Sequence, residues 1–275
     1  MTPSPSEIAA RRRAFRELHA AGCFVIPNPW DAGSARYLAS LGFKALATTS
    51  AGFAWTQAQA DGAMSRDAVL AHLREMVAAT RLPINADFES GYGATPRDVA
   101  GSVALAVATG VAGLSIEDST GDAAQPIHAL DVAVARLRAA REAIDASGGD
   151  TLLVGRSENF LHGRADLADT IARLRAYAEA GADCLYAPGL RTRDEIAAVV
   201  AAVAPKPVNL LVGGTSDLTL ADIAGLGVRR VSVGGGLARA AWGGFMRAAQ
   251  SLASDGVFDG FAGAASGAEL NALFR

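Results

Sequence analysis

The chain has 275 residues, a formal net charge of −3, 51% hydrophobic residues and 19% charged residues. That apolar content excludes a disordered chain, and the missing basic surplus excludes nucleic acid or an anionic membrane as a main partner. No apolar stretch reaches membrane-spanning length without glycine or charge, and the first twenty residues lack the apolar core of a signal peptide, so the chain reads as soluble and cytoplasmic.

In chain order, the first pattern is helical and carries the triplet Arg11-Arg12-Arg13, which reads as a solvated face. Eight short apolar runs rich in branched residues follow. They are CFVIP (23–27), ALATT (45–49), PINADFE (83–89), GLSIED (113–118), LLVGR (152–156), CLYAP (184–188), PVNLLV (207–212) and VRRVSVGG (228–235). The segments between them place apolar residues three and four apart, the spacing of amphipathic helices. Thr95-Pro96-Arg97-Asp98 supplies an N-cap, a first-turn proline and an acid near the positive end of a helix dipole. Thr192 and Glu195 have capping-box spacing. Strands that alternate with helices pair in parallel, and an eightfold alternation predicts a single (β/α)₈ barrel domain spanning 1–275. Residues 237–275 exceed what a barrel needs and form a C-terminal helical extension. The rival, an open sheet with a nucleotide loop, lacks its glycine signature, because PNPWDAGSA follows the first strand. Cys23 and Cys184 lie in apolar runs and read as buried, reduced thiols.

Barrel chemistry collects at the carboxyl ends of the strands. There the sequence places Thr48, Thr49 and Ser50 after strand 2, Asp87 and Glu89 on strand 3, and Glu117 and Asp118 on strand 4. Strand 5 brings Arg156 and Glu158, and strand 7 brings Asn209. Residues two apart on a strand share a face, so Asp87 and Glu89 are expected to point together, with Glu117 arriving alongside. Converging carboxylates require protons or a shared cation, and the hard cation that carboxylates and water suit is Mg²⁺, with Mn²⁺ the alternative. The four histidines are scattered, which argues against zinc. Trp30 and Trp55, beside strand ends 1 and 2, either wall the pocket or pack in the core. Tyr92, between two glycines, is either a mobile lid element or a packed turn aromatic.

ADFESGYG (86–93) resembles the D-x-D-x-G-Y-G signature of the isocitrate lyase/phosphoenolpyruvate mutase superfamily. So do the features around it, PNPWDAGSARYLASLGFKALATTSAGFA, then Asp61, GLSIEDS and GRSENF, in order over residues 23–212. The resemblance implies a Mg²⁺-dependent enzyme that acts on 2-oxo or 2-hydroxy acids through an enolate. It implies Asp87 as a direct metal ligand, with Asp61, Glu89 and Glu117 holding metal waters or completing the shell. Ser50, Ala51 and Gly52 would grip the substrate carboxylate, Arg156 its oxygens, and Asn209 would line the mouth, with Trp30 as a further substrate contact. Arg156, Glu117 and Asp61 are the catalytic candidates. In the resembling family the C-terminal helices are exchanged between protomers, so a helix-swapped homo-oligomer is expected.

The chain also departs from the pattern. Glu89 stands where the family usually has Asp, and 119–126 (STGDAAQP) has no cysteine, lysine or histidine where lyases carry a K-K-C-G-H loop. Pro188 stands where lyases tend to have a glutamate. The leading expectation is a lyase or decarboxylase that cleaves a C–C bond in a small 2-oxo or 2-hydroxy acid. The alternatives are P–C cleavage of a phosphonopyruvate-type substrate and a protein that binds 2-oxo acids without turning them over.

Overall fold

The computed structural model describes residues 3–148 and 150–275. Eight strands are present: β1 (Phe24–Ile26), β2 (Leu46–Ala47), β3 (Ile84–Asp87), β4 (Gly113–Glu117), β5 (Leu152–Arg156), β6 (Cys184–Tyr186), β7 (Val208–Leu211) and β8 (Arg230–Ser232). The helices are α1 (Pro5–Ala20), α2 (Ala32–Ser40), α3 (Ser50–Thr56), α4 (Arg66–Ala79), α5 (Pro96–Ala108), α6 (Leu130–Ala146), α7 (Leu167–Glu179), α8 (Arg193–Val203), α9 (Leu220–Gly225), α10 (Gly236–Asp255) and α11 (Gly267–Leu273). Each predicted apolar run contains a strand, and both predicted caps form: Thr95 with Asp98, and Thr192 with Glu195, close capping boxes.

All strand pairs are parallel, in the order β1-β8-β7-β6-β5-β4-β3-β2. The seam between β1 and β2 is tied by the Ala47 N–H, which donates to the Pro27 carbonyl at 3.0 Å. Asn28 reinforces it from the side. Its Nδ2 donates to the Thr48 carbonyl at 2.9 Å, and its Oδ1 accepts the Val233 and Gly234 N–H groups, each at 2.9 Å. The chain is a nearly closed (β/α)₈ barrel.

Two apolar regions flank the strands. The larger lies between the sheet and the surrounding helices and includes Leu73, Met76, Phe88, Leu114, Ile116 and Tyr177. The smaller fills the barrel, where Phe15 of α1 packs with Ile26, Leu152, Val154, Cys184 and Tyr186. Gly113 is needed at this level because a Cβ there would lie 2.7 Å from the Phe15 ring. Cys184 is buried as expected, whereas Cys23 is half-buried.

The basic triplet departs from its expected role. Arg11 donates to the Val77 carbonyl at 2.8 Å, and Arg12 to the Val107 and Val111 carbonyls at 2.8 and 3.1 Å. Only Arg13 faces solvent. Carbonyls at helix ends lack partners within the helix, and the guanidinium groups of α1 satisfy them while docking α1 beneath the barrel.

The C-terminal extension is largely uncovered. Trp242, Phe245 and Met246 on α10 are 40%, 62% and 60% exposed, and Phe258 beyond it is 66% exposed.

Candidate active site at the carboxyl rim of the barrel

Strand register delivers the predicted acids and the arginine to one end. Glu117 pairs directly with Arg156, and Asp87 pairs with Ser115, two residues before Glu117. Arg156 is the hub. One of its terminal nitrogens, Nη1, donates to Asp87 Oδ1 at 3.2 Å and lies 3.2 Å from Glu117 Oε2. Its Nε donates to Glu158 Oε1 at 2.5 Å, and its guanidinium sits 5.1 Å from the centre of the Tyr186 ring. Asp87 is held from the other side, where its Oδ2 accepts the Ser50 N–H at 3.0 Å. Its own N–H donates to Thr48 Oγ1 at 2.9 Å.

Glu89 does not share a strand face with Asp87. β3 ends at Asp87, and Glu89 has φ +46°, so the pleat stops before it. Glu89 instead belongs to a tight turn in which the Tyr92 hydroxyl donates to Glu89 Oε1. The Glu117 N–H donates to the Glu89 carbonyl at 3.0 Å, which fastens the turn to β4. Tyr92 is thus an anchored turn residue. Asp61, on the exposed connection after α3, reaches Ser50 with its carboxyl group.

Asp61, Asp87, Glu89, Glu117 and Glu158 form a group of five carboxyls, and among the described residues Arg156 is the one cation that pairs with any of them. The charge imbalance shows in the proton affinities. Burial pushes Glu89 up to about 7; the Tyr92 hydrogen bond opposes this, and Asp87 and Asp61 add to it. Burial also raises Glu117 well above the carboxylate range, with Arg156 offsetting part of the effect and Glu158, Asp87 and Glu89 adding to it. Asp61 is raised by burial first and by Asp87 in addition.

Several expected roles are placed differently. Asn209 does not line the mouth. It is fully buried inside the barrel, where its Oδ1 accepts from Arg230 at 2.8 Å and its Nδ2 donates to Ser232 at 2.9 Å. Trp30 stands in a groove with Thr56, Ala241, Trp242 and Phe245, facing the C-terminal helix. Of the three expected carboxylate-gripping N–H groups, that of Ser50 is engaged by Asp87 and that of Gly52 by the Thr49 cap, at 3.2 Å. The segment 119–126 is a short loop closed by Thr120, whose N–H donates to the Pro126 carbonyl at 2.9 Å.

Three residues to which the sequence reading gave no role complete the site. Glu158 orients Arg156, and Tyr186 lies beneath the guanidinium. Asp118 fixes the strand end, since its Oδ1 accepts the Glu158 N–H at 2.8 Å. Its Oδ2 accepts Arg173 at 3.2 Å and the Tyr177 hydroxyl at 2.5 Å. The sequence signal for all three was present: each is polar or aromatic, flanks a strand end and sits in an apolar run.

The donor set was tested against a hard divalent cation. Among the described residues no three acids or histidines converge tightly enough to cage an ion directly. Five carboxyls nevertheless share one guanidinium, and Mg²⁺ uses one or two carboxylates while keeping several waters. The chemistry of this donor set, all carboxylate oxygens with no thiol or imidazole, suits such an ion held largely through its waters.

The phosphoenolpyruvate phosphomutase family model matches residues 15–253. The chain belongs to this family. A lyase/mutase candidate from Burkholderia cenocepacia J2315 is 52% identical, covers 98% of this chain and 97% of its own, and superposes with a TM-score of 0.95. An oxaloacetate decarboxylase from Paraburkholderia xenovorans (strain LB400) is 30% identical over 80% of this chain and 74% of its own length. Oxaloacetate acetylhydrolase, seen with its product oxalate, is 27% identical over 98% of this chain and 95% of its own, with a TM-score of 0.85. Members of the family share this chain's barrel, and these two neighbours act on oxaloacetate.

Proposed function

We propose that the chain is a divalent-cation-dependent lyase that cleaves a C–C bond in a small 2-oxo or 2-hydroxy acid, or decarboxylates it, through an enolate. Oxaloacetate is the first substrate to try. The observation that carries this reading is the rim itself, where a single arginine bridges Asp87 and Glu117 and three more carboxyls stand without a second cation. The ion is proposed as Mg²⁺, held by Asp87 with Asp61, Glu89 and Glu117, and when bound it supplies Lewis acidity toward the 2-oxo group.

The chain's own groups supply the rest. Arg156 presents a permanent positive charge to oxygens on which negative charge develops, and its planar fork suits a carboxylate. Glu158 and Tyr186 hold that fork in one orientation, so little reorganisation is needed as charge builds. Ser50 positions Asp87 through its N–H, and Ser50 Oγ stands beside Asp61 near the substrate space. Tyr92 keeps a proton between its oxygen and Glu89 Oε1, which fixes the arm of Glu89. Ala51, whose N–H is not engaged by either the Asp87 contact or the Thr49 cap, is the backbone donor proposed for the substrate carboxylate.

The test is oxaloacetate consumption with and without Mg²⁺ in wild type and D87A. D87A is expected to lose about 10²–10³-fold in turnover, the range for removal of one preorganised electrostatic contact. Turnover that survives both chelation and D87A would overturn the proposal. P–C cleavage is the second reading, favoured by the phosphomutase family match, and phosphate release from phosphonopyruvate without oxaloacetate turnover would select it.

The exposed apolar row on α10 supports a homo-oligomer in which the C-terminal helices lie against a second copy of the chain. A soluble, cytoplasmic setting fits the reduced thiols, and no helix among the described residues is long and apolar enough to cross a membrane.

A further inference from the structure

The turn after β3 has an unfavourable backbone. Glu89 and Tyr92 adopt φ of +46° and +50°, the left-handed region that side chains with a Cβ disfavour. Gly93 has no room for any side chain, since a Cβ there would lie 2.4 Å from the Val99 nitrogen. Such a backbone persists only where its surroundings over-determine it.

Here the surroundings are dominated by one residue. Arg136, in the second turn of α6, is 3% exposed. Its Nη2 donates to the carbonyls of Ser90 at 2.7 Å and Gly93 at 2.9 Å, and its Nη1 donates to that of Ala94 at 3.4 Å. Ser102 Oγ donates to the Tyr92 carbonyl at 3.1 Å. The Arg136 guanidinium is therefore buried and bound to the carbonyls of a single loop, whereas most buried cations meet a carboxylate. Arginine suits this use because its fixed fork reaches several acceptors at once, which a lysine point charge cannot do.

We propose that Arg136 is a positioning residue for the rim: from α6 it locks the Ser90–Ala94 backbone and so holds Glu89 and Tyr92 where the other acids can share a cation with them. This rests on the proposed function. It also links the helix that follows β4, which carries Glu117, to the turn that follows β3, which carries Glu89.

The test compares R136M, R136K and wild type by amide hydrogen exchange and by Mn²⁺ titration in the absence of substrate. In R136M, exchange at residues 89–94 should rise about tenfold or more while α1 and β6 stay protected. Mn²⁺ affinity should fall about 10–100-fold, as for other residues that orient metal ligands. R136K should fall between R136M and wild type on both measures. Wild-type exchange at 89–94 in R136M, or faster exchange with unchanged Mn²⁺ affinity, would overturn the proposal. Should R136M fail to fold, R136K and Ser102→Ala decide by the same two readouts, each expected to shift in the same direction by a smaller amount. If wild type itself binds no Mn²⁺, the cation reading fails, and the exchange comparison alone decides whether Arg136 holds the turn.

Discussion

Replacing Arg156 with Met tests the electrostatics of the rim directly. Arg156 Nη1 is 3.2 Å from oxygens of both Asp87 and Glu117, and its Nε is 2.5 Å from Glu158. At an effective dielectric of ~20, each 3.2 Å contact is worth about 5 kcal/mol before desolvation is charged against it. Desolvation cancels most of that gain, and the loss on removing one partner of a partly buried ion network is about 3–5 kcal/mol. The loss depends on pH. Glu89 and Glu117 have folded pKa values raised above the unfolded value of about 4.3. A carboxyl with a raised folded pKa destabilises the fold as pH climbs from the unfolded pKa toward the folded one, because the unfolded chain releases its proton first. Without Arg156 these values rise further, so the gap between R156M and wild type should be small near pH 4.5 and should widen to about 3–5 kcal/mol by pH 8. Urea denaturation of both proteins across this range, in chelator, measures the gap. Added Mg²⁺ should narrow it at pH 8. A gap below about 1 kcal/mol at pH 8, or one that shrinks as pH rises, would refute the reasoning.

Two further outcomes are expected. D118N should cost about 2–4 kcal/mol in urea denaturation, because an amide nitrogen would face the Glu158, Arg173 or Tyr177 donor in a site that is 2% exposed; a cost under 1 kcal/mol would show that those donors find other acceptors. Phe245→Glu places a charge in the exposed row on α10 and should shift sedimentation from an oligomer toward the 28.0 kDa chain, whereas an unchanged assembly would exclude that face as the contact.

Much of this was legible in the residues, and the exceptions share a cause. The strands announced themselves because parallel strands buried on both faces read as short apolar runs. Asp87, Glu117 and Arg156 could be placed together because strand ends in a barrel share one rim. Glu89 was misplaced because period-two alternation carries no sign of where a strand stops, and its left-handed φ is a tertiary outcome. Asn209 looked like a mouth residue because it sits in a strand, yet its side chain is buried inside the barrel against Arg230 and Ser232. Arg11 and Arg12 resembled any basic helix face, since their carbonyl partners lie 66 to 99 residues away in the chain. Arg136 was equally silent, because nothing local separates an arginine that faces water from one that grips a distant loop.

A ring of strands must have one joint that closes last, and here that joint lies between the shortest strand, β2, and β1. Much of the fastening at that place comes from Asn28, whose carboxamide makes three hydrogen bonds to two other chain segments, standing in for hydrogen bonds that a longer ladder would have supplied. The consequence concerns breathing motions. Thermal opening should start at this hem, beside the Thr48–Ser50 corner that holds Asp87, so the carboxamide that ties the joint also bonds Thr48, whose hydroxyl accepts the Asp87 N–H.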